Sequence, residues 1–256
     1  MYNIQPKTSF CGKNLKYLPT CHSTNDELLK MIHSSSNFVI EGAVIATDFQ
    51  TAGRGQRGNT WESKAGENMI FSMVLKPNFL QPMQQFQLNM VVSLALYDFL
   101  IFYGNEDIKI KWPNDMYFQN KKIAGILIEN VLMGNSINYS VIGVGLNINQ
   151  TLFQNTNATS LRCITGQPFD YSVPELLSKL LESIENRYLQ LQNGYAHLVK
   201  SDYLKALFRL NIYSFFKDSN GEFEAKITEI DEYGRLVVET QLEERIYDFK
   251  EIQFVL

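Results

Sequence analysis

The sequence predicts an α/β (α+β) protein: a mixed, mostly antiparallel sheet flanked by helices, followed by a small β-barrel at the C-terminus. Three observations carry this. Apolar residues make up 45% of the 256 residues and include 17 Phe and 13 Tyr, enough to build a core whose burial offsets the ordering entropy of the chain. Short β-leaning runs alternate with long segments of helical period up to about residue 208. After about residue 211 the texture changes to short β-rich runs cut by Asn220-Gly221 and Tyr233-Gly234 turns. The expected division is therefore residues 1–208 and residues 209–256, the second unit being too small to be secure without docking on the first.

In chain order, residues 15–20 read as a strand. Ser23-Thr24-Asn25-Asp26-Glu27 then supplies short oxygen-bearing side chains, with Glu27 three residues after Thr24 in capping-box spacing, and a helix is expected to about His33. Residues 43–49 form a second strand that feeds a basic, glycine-rich loop, with Gly53, Gly55 and Gly58 among Arg54, Gln56 and Arg57, ahead of Trp61. Residues 69–75 return as a strand. Pro82 opens a long helix, where its missing N–H costs nothing. The most apolar stretch of that helix, residues 90–103, carries Ser93 and Asp98 and falls short of the ~20 residues a membrane span requires, so a core helix is expected and no membrane.

Residues 108–112 alternate as a strand, and Pro113-Asn114-Asp115 must turn the chain. Residues 116–118 and 123–129 then form a hairpin about Gln119-Asn120-Lys121. Residues 139–147 make another apolar strand, whose interior Gly143 and Gly145 mark the close approach of another group. Helices are expected over 175–191, with Pro174 in the first turn, and over 196–208. The tail divides into strands 212–216, 223–230, 236–239 and 252–256.

Composition removes several functions. Lys and Arg total 23 against 27 Asp and Glu, a formal net charge of −4, so nothing calls for a polyanionic partner. Cys11, Cys21 and Cys163 form an odd set without a Cys-x-x-Cys pair, which speaks for reduced thiols rather than a disulfide framework or a zinc knuckle. His22, His33 and His197 are too scattered for a metal site. Residues 1–16 are polar and lack the apolar segment of a signal peptide, and a cytoplasmic protein is expected.

The chemistry concentrates in a few clusters. Gly53-Arg54-Gly55-Gln56-Arg57-Gly58 can bring backbone N–H and guanidinium groups toward an anion, or can be a mobile surface loop. It matches neither the phosphate-binding loop ending in Gly-Lys-Ser/Thr nor the dinucleotide fingerprint. Lys111-Trp112-Pro113-Asn114-Asp115 places a cation, an aromatic plane, a rigid turn and two oxygen-bearing side chains at a strand end. Lys122 stands at the edge of an otherwise apolar strand, where it either snorkels or meets an anion. Beside a phosphate in a half-desolvated cleft it is worth on the order of 4 kcal/mol per unit charge at 4 Å, before desolvation is subtracted.

These residues, in this order, resemble the biotin protein ligases. The resemblance runs from Ser23-Thr24-Asn25 through Gln50, the Gly53 to Gly58 loop, Trp61, the Lys111 to Asp115 signature, Lys122-Ile123-Ala124-Gly125-Ile126-Leu127-Ile128-Glu129 and Gly143-Val144-Gly145-Leu146-Asn147-Ile148-Asn149 to Ala158-Thr159-Ser160-Leu161. It covers nearly the whole chain. It implies a class II synthetase-like catalytic domain with an SH3-like C-terminal domain, and ATP-dependent biotinylation of a carrier lysine through biotinyl-5′-AMP. ATP and biotin are then substrates, Mg2+ the cofactor, and the biotin carboxyl carrier protein of a carboxylase such as acetyl-CoA carboxylase the partner. Ser23, Thr24, Asn25 and Gln50 would read the ureido ring, with Gly125, Gly143 and Gly145 lining its pocket. Ser23 and Thr24 also suit a helix cap. Lys111, Lys122, Asp115 and Arg54 would be catalytic, and Arg54, Gln56, Arg57, Trp61, Lys111, Asn114, Lys122 and Asn147 would hold ATP and the adenylate. Asp115 would help with magnesium, and Trp112 either walls the adenine or packs in the core.

One departure stands out: Gln56 occupies a place where many relatives carry a second arginine, so the adenylate would be held by Arg57 or less tightly. Only 22 residues precede Ser23, which leaves no room for the helix-turn-helix of bifunctional relatives. A monofunctional ligase without operator DNA is expected, as monomer or homodimer. The rival reading is a lipoate ligase or lipoyl/octanoyl transferase, whose arginine-rich, glycine-triplet motif is absent.

Overall fold

The computed structural model describes residues 2–103, 106–168 and 170–255. β1 (Leu15–Cys21) and β2 (Val44–Gln50) pair in parallel, and α1 (Thr24–His33) makes the crossover such a pair requires. β3 (Met69–Leu75) follows, then a 3-10 turn (Pro82–Gln84) and α2 (Phe86–Tyr103). Pro82 thus opens the turn that leads into the helix rather than the α-helix itself. β4 (Ile108–Lys111), β5 (Asp115–Phe118), β6 (Lys121–Met133) and β7 (Ser136–Leu146) complete the sheet, in the order β1-β2-β3-β7-β6-β5-β4. Every pairing after the first is antiparallel. The mixed, mostly antiparallel sheet expected from the sequence is present.

α3 (Leu161–Thr165), α4 (Val173–Gln192) and α5 (Ala196–Ala206) come next. α3 has too few residues to show a period in the sequence; its Ser160 cap, accepting from the Cys163 N–H at 3.2 Å, is the only local sign. A second antiparallel sheet then holds β8 (Ser214–Asp218), β9 (Gly221–Ile230), β10 (Leu236–Glu239), β11 (Glu244–Tyr247) and β12 (Gln253–Phe254), in the order β11-β10-β9-β8-β12. This sheet is compatible with an SH3-like unit. β11 escapes sequence reading because Glu244-Arg245-Ile246-Tyr247 carries as much charge as apolar surface.

The two faces of the large sheet do different work. Met69, Phe71, Met73 and Leu75 join α2 and α4 in the main core, as alternation along a strand demands. On the opposite face Ile45, Val74 and Val141 pack under Leu28 of α1. Leu28 is fully buried, which stabilises α1 on this face by about 2 kcal/mol. α1 covers only one end of that face, and the other end forms the floor of a cleft.

Two sequence readings are corrected. Together the 3-10 turn and α2 span Pro82–Tyr103, 22 residues whose most apolar 18-residue stretch has mean hydropathy 1.5, long and apolar enough by those measures alone to cross a membrane. What makes it a core helix is packing, since 67% of that 18-residue stretch is buried within the protein. Second, the cap of α1 is Ser23, whose Oγ accepts from the Asp26 N–H at 3.4 Å. The Thr24 hydroxyl is engaged by Gln50 and Ser72 instead, so the Thr24–Glu27 capping box does not form.

The second sheet shares its core with the first. Trp112 donates its indole N–H to the Gly234 carbonyl at 2.9 Å and meets Phe249 edge-on at 5.2 Å. Phe86 packs against Tyr203 and Phe249. Trp112 is therefore a buried bridge between the sheets, and it also borders the cleft on the large sheet.

Candidate active site

Strand register assembles the site. Lys111 pairs with Asp115, Asp115 with Gly125, Gly125 with Gly145, and Gly145 with Ile70. One transverse row across five strands thus collects residues from four distant stretches of sequence. The neighbouring row runs Leu127, Gly143, Ser72. Above these rows lies a cavity of about 600 Å³.

The turn between β4 and β5 is pinned by Asn114, whose Nδ2 donates to the Ile126 carbonyl at 2.5 Å while its own carbonyl accepts from the Ile126 N–H at 3.0 Å. The Trp112–Pro113 peptide is cis. This turn fixes Lys111 and Asp115 in facing positions. The Lys122 ammonium reaches Asp115 Oδ1 at 2.6 Å and stands 5.7 Å from the centre of the Trp61 ring. Lys111 lies over the Tyr117 ring at 4.6 Å and the Phe254 ring at 5.0 Å, and donates to the Tyr117 hydroxyl at 3.3 Å. Burial holds the Lys111 ammonium below its ordinary pKa, an effect that Asp115 opposes. Burial likewise pushes the Tyr117 phenol up to about 12, so it meets Lys111 as a neutral partner.

At the α1 end the cavity is lined by the neutral side chains of Ser23, Thr24, Asn25 and Gln50, with Arg54 beside them. Gln50 Oε1 accepts from the Thr24 N–H at 2.7 Å and from its hydroxyl at 3.1 Å. The Ser72 hydroxyl lies 2.6 Å from Thr24 Oγ1 and 2.5 Å from Asn25 Oδ1. Asn25 Nδ2 donates to Glu129 Oε2 at 2.7 Å and to the Leu127 carbonyl at 3.3 Å. Both amide protons of Asn25 are therefore engaged, and what it can offer a ligand is an acceptor. Gln50 Nε2 and the Ser23 hydroxyl proton have no protein partner among the described residues, and they are the donors suited to a ligand carbonyl.

The three strand glycines make room for protein side chains as well as walling the cavity. A Cβ at Gly125 would meet the Lys122 ammonium at 3.2 Å and Asp115 Oδ1 at 3.3 Å; one at Gly143 would meet Asn25 Cγ at 3.1 Å; one at Gly145 would meet the Trp61 ring at 2.7 Å. Within this molecule they are seats for Lys122, Asn25 and Trp61.

Of the residues expected in the site, Ser23, Thr24, Asn25, Gln50, Arg54, Gln56, Trp61, Lys111, Asn114, Asp115, Lys122, Gly125, Gly143 and Gly145 all border this one cavity. Asn147 does not. It is buried, its Nδ2 donates to the Thr159 carbonyl at 2.9 Å and its N–H to the Ile123 carbonyl at 2.9 Å, so it ties β6 and β7 to the segment before α3 rather than facing a nucleotide. The side chain of Arg57 lies outside the described part of the structure. Arg54 is in the cavity wall but is not a free cation: Glu129 takes it bidentately at 2.8 and 3.1 Å, and Asp26 at 2.6 Å.

The sequence does not mark as site residues Ser72, Glu129 or the segment around Phe249, Lys250, Gln253 and Phe254, the last of which borders the cavity. Ser72 had a signal, since a lone hydroxyl inside the wholly apolar β3 must find a buried partner. Glu129 had a similar one as a carboxylate ending an apolar run. The C-terminal residues had none. Among the described residues no group of three or more His, Cys, Asp or Glu is placed to hold a metal ion. Asp115, ion-paired with Lys122, is a single carboxylate that would hold magnesium only together with substrate phosphate oxygens and water.

Fold and cleft together define a class: α/β proteins with a cleft on a glycine-floored sheet, lined by neutral polar groups at one end and by charged groups at the other. The chain belongs to the biotin/lipoate A/B protein ligase family, whose profile matches residues 17–147. It is 29% identical to the bifunctional ligase/repressor BirA of Bacillus spizizenii over 242 residues, covering 92% of this chain and 72% of that one. It is 32% identical to the biotin--[acetyl-CoA-carboxylase] ligase of Mycobacterium tuberculosis over 185 residues, covering 71% of this chain and 66% of that one. In structure it is similar to the biotin protein ligase of Aquifex aeolicus in complex with biotin and ATP, with a TM-score of 0.78, 27% identity, and coverage of 95% and 100%.

Proposed function

We propose that this chain is a biotin protein ligase, joining biotin to ATP and then to a lysine of a biotin carboxyl carrier protein. One observation carries the reading: a single cavity joins the neutral cluster of Ser23, Thr24, Gln50 and Asn25 to the charged cluster of Lys111, Asp115 and Lys122. Ser72 on β3 and Asp115 on β5 lie three strand spacings apart, roughly 14 Å. That span suits a small acid with a polar head, an apolar tail and a reacting carboxylate. The Aquifex protein, like this chain over nearly its full length, carries biotin and ATP together.

In the first half-reaction a biotin carboxylate oxygen attacks the α-phosphorus of ATP, the bond to the bridging oxygen breaks, and pyrophosphate leaves. In the second, the carrier amine attacks the acyl carbon of biotinyl-5′-AMP, AMP leaves with the bonding pair, and the new amide loses a proton. No protein nucleophile is needed. The protein aligns two anionic reactants, offsets their repulsion and excludes water. Lys122 is assigned to the carboxylate and α-phosphate, with Asp115 holding its ammonium in place beforehand. Lys111, its charge already disfavoured by burial, gains most from a phosphate nearby. Gln50 Nε2 and Ser23 serve the ureido carbonyl, Trp61 and Gln56 wall the adenylate, and Mg2+ enters as part of the nucleotide.

The same reading takes residues 209–256 as the unit that closes over the nucleotide and meets the carrier. It also places the protein in the cytoplasm, acting without DNA, in accord with its acidic balance, as monomer or homodimer. The test is a mass measurement on an apo-carrier incubated with the protein, ATP and either biotin or lipoate. A biotin-sized increment on one lysine is expected; an increment only with lipoate overturns the reading.

A further inference from the structure

We infer that Glu129 is a positioning residue that couples the pocket amide of Asn25 to the loop guanidinium of Arg54, so that pocket polarity and loop order are set together. Glu129 extends from β6, beyond the apolar run of Ile126, Leu127 and Ile128, where a carboxylate needs compensation. It receives that compensation from two segments at once. Oε2 accepts from Asn25 Nδ2 at 2.7 Å and from Arg54 at 2.8 Å, and Oε1 accepts from Arg54 at 3.1 Å. The fork is bidentate, the geometry in which a guanidinium fixes direction as well as distance. Asp26, next to Asn25 on α1, adds a third contact to Arg54 at 2.6 Å.

Two consequences follow from the charge on Glu129. An acceptor-only carboxylate dictates which end of the Asn25 amide faces β6: the NH2 must, and Oδ1 is then turned to Ser72 over the bare backbone of Gly143. The acceptor face of the pocket is thereby selected. The same carboxylate holds the glycine-rich loop against the sheet through Arg54, on the side from which Trp61 settles onto Gly145. Disturbing either contact disturbs the other, because both are held by one oxygen.

The consequence for biotin rests on the function proposed above; the loop does not, and the two are measured separately. In Glu129→Gln, which keeps size but loses charge, trypsin cleavage after Arg54 in the ligand-free protein should speed up about tenfold, as local opening becomes cheaper. KM for biotin in pyrophosphate exchange should rise about tenfold with kcat held within about twofold, a split that loss of folded protein would not produce. Glu129→Asp, too short to reach both partners, should behave alike and serves where the Gln variant fails to fold. In the wild type, Asn25→Ala and Arg54→Lys should be non-additive in biotin affinity, and additive in the Glu129→Gln background. An unchanged cleavage rate, or additivity already in the wild type, overturns the coupling. Absence of biotin binding by the wild type would instead sink the function while leaving the cleavage comparison to decide the loop.

Discussion

Trp61 lies on the bare backbone of Gly145, so close that a single methyl group at residue 145 would stand 2.7 Å from the ring edge at Cζ2. The glycine is a seat for the indole, and the indole in turn stands beside the Lys122 ammonium. The wall of the cavity and the placement of its central cation therefore share one point of contact.

Gly145→Ala should expel the ring. Overpacking against a rigid strand costs about 2 kcal/mol, visible as a lower Tm, and biotin affinity by titration calorimetry should fall at least about tenfold. Trp61→Ala in the same background should recover the stability but not the affinity. Equal stability of Gly145→Ala and wild type would show that the indole moves freely.

Lys122→Met should abolish biotin-dependent pyrophosphate exchange, by about a hundredfold or more, while biotin binding stays measurable by calorimetry. Asp115→Asn should weaken exchange less, since it frees the ammonium rather than removing it. A fully active Lys122→Met enzyme would remove this lysine from the chemistry.

Gln56→Arg restores a cation to the loop. Release of biotinyl-AMP, followed by trapping with hydroxylamine, should slow by about threefold, the worth of one added half-exposed phosphate contact. The same release rate in both proteins would mean that loop closure, rather than charge at this position, retains the adenylate.

The N-terminal segment is held to α4 by Glu185, a buried carboxylate that accepts from the backbone N–H groups of Ser9, Phe10 and Cys11 at 2.5, 2.9 and 2.9 Å. Burial alone would raise its pKa, but these donors prevail and hold it below the ordinary 4.5. A native pKa below the unfolded one means that the unfolded chain takes up protons first as pH falls. The stabilisation is thus complete above the unfolded value and is lost as pH drops through the depressed native one. Glu185→Gln should cost about 2 kcal/mol in urea unfolding at pH 7, with the difference from wild type shrinking as pH falls below the ordinary 4.5.

Trp112→Phe should loosen the second sheet by removing the bond from its indole to the Gly234 carbonyl. Amide exchange in β8 to β12 should quicken by about tenfold while β3 and β7 are unaffected, and KM for ATP should rise more than KM for biotin. Uniform exchange across both sheets would show that the bond does not separate them.

Local chemistry settles much of this protein. Glycine, proline and apolar period placed nearly every strand and helix of the large sheet, because those signals act within a few residues. The dense polar cluster from Lys111 to Asp115 marked a strand end that does border the cavity. What the sequence could not determine was which side chain meets which. Asn25 and Glu129 are 104 residues apart, and Arg54 and Glu129 are 75 apart. Such pairings follow from strand register, and register is a property of the closed sheet. That is why Arg54 proves to be a neutralised anchor in the ligand-free protein, and why Asn147, one residue past the end of β7, turns into the interior. It is also why Phe254, from the far end of the chain, covers Lys111. Sequence proximity fixed the pieces; long-range packing decided which charges remain available to a ligand.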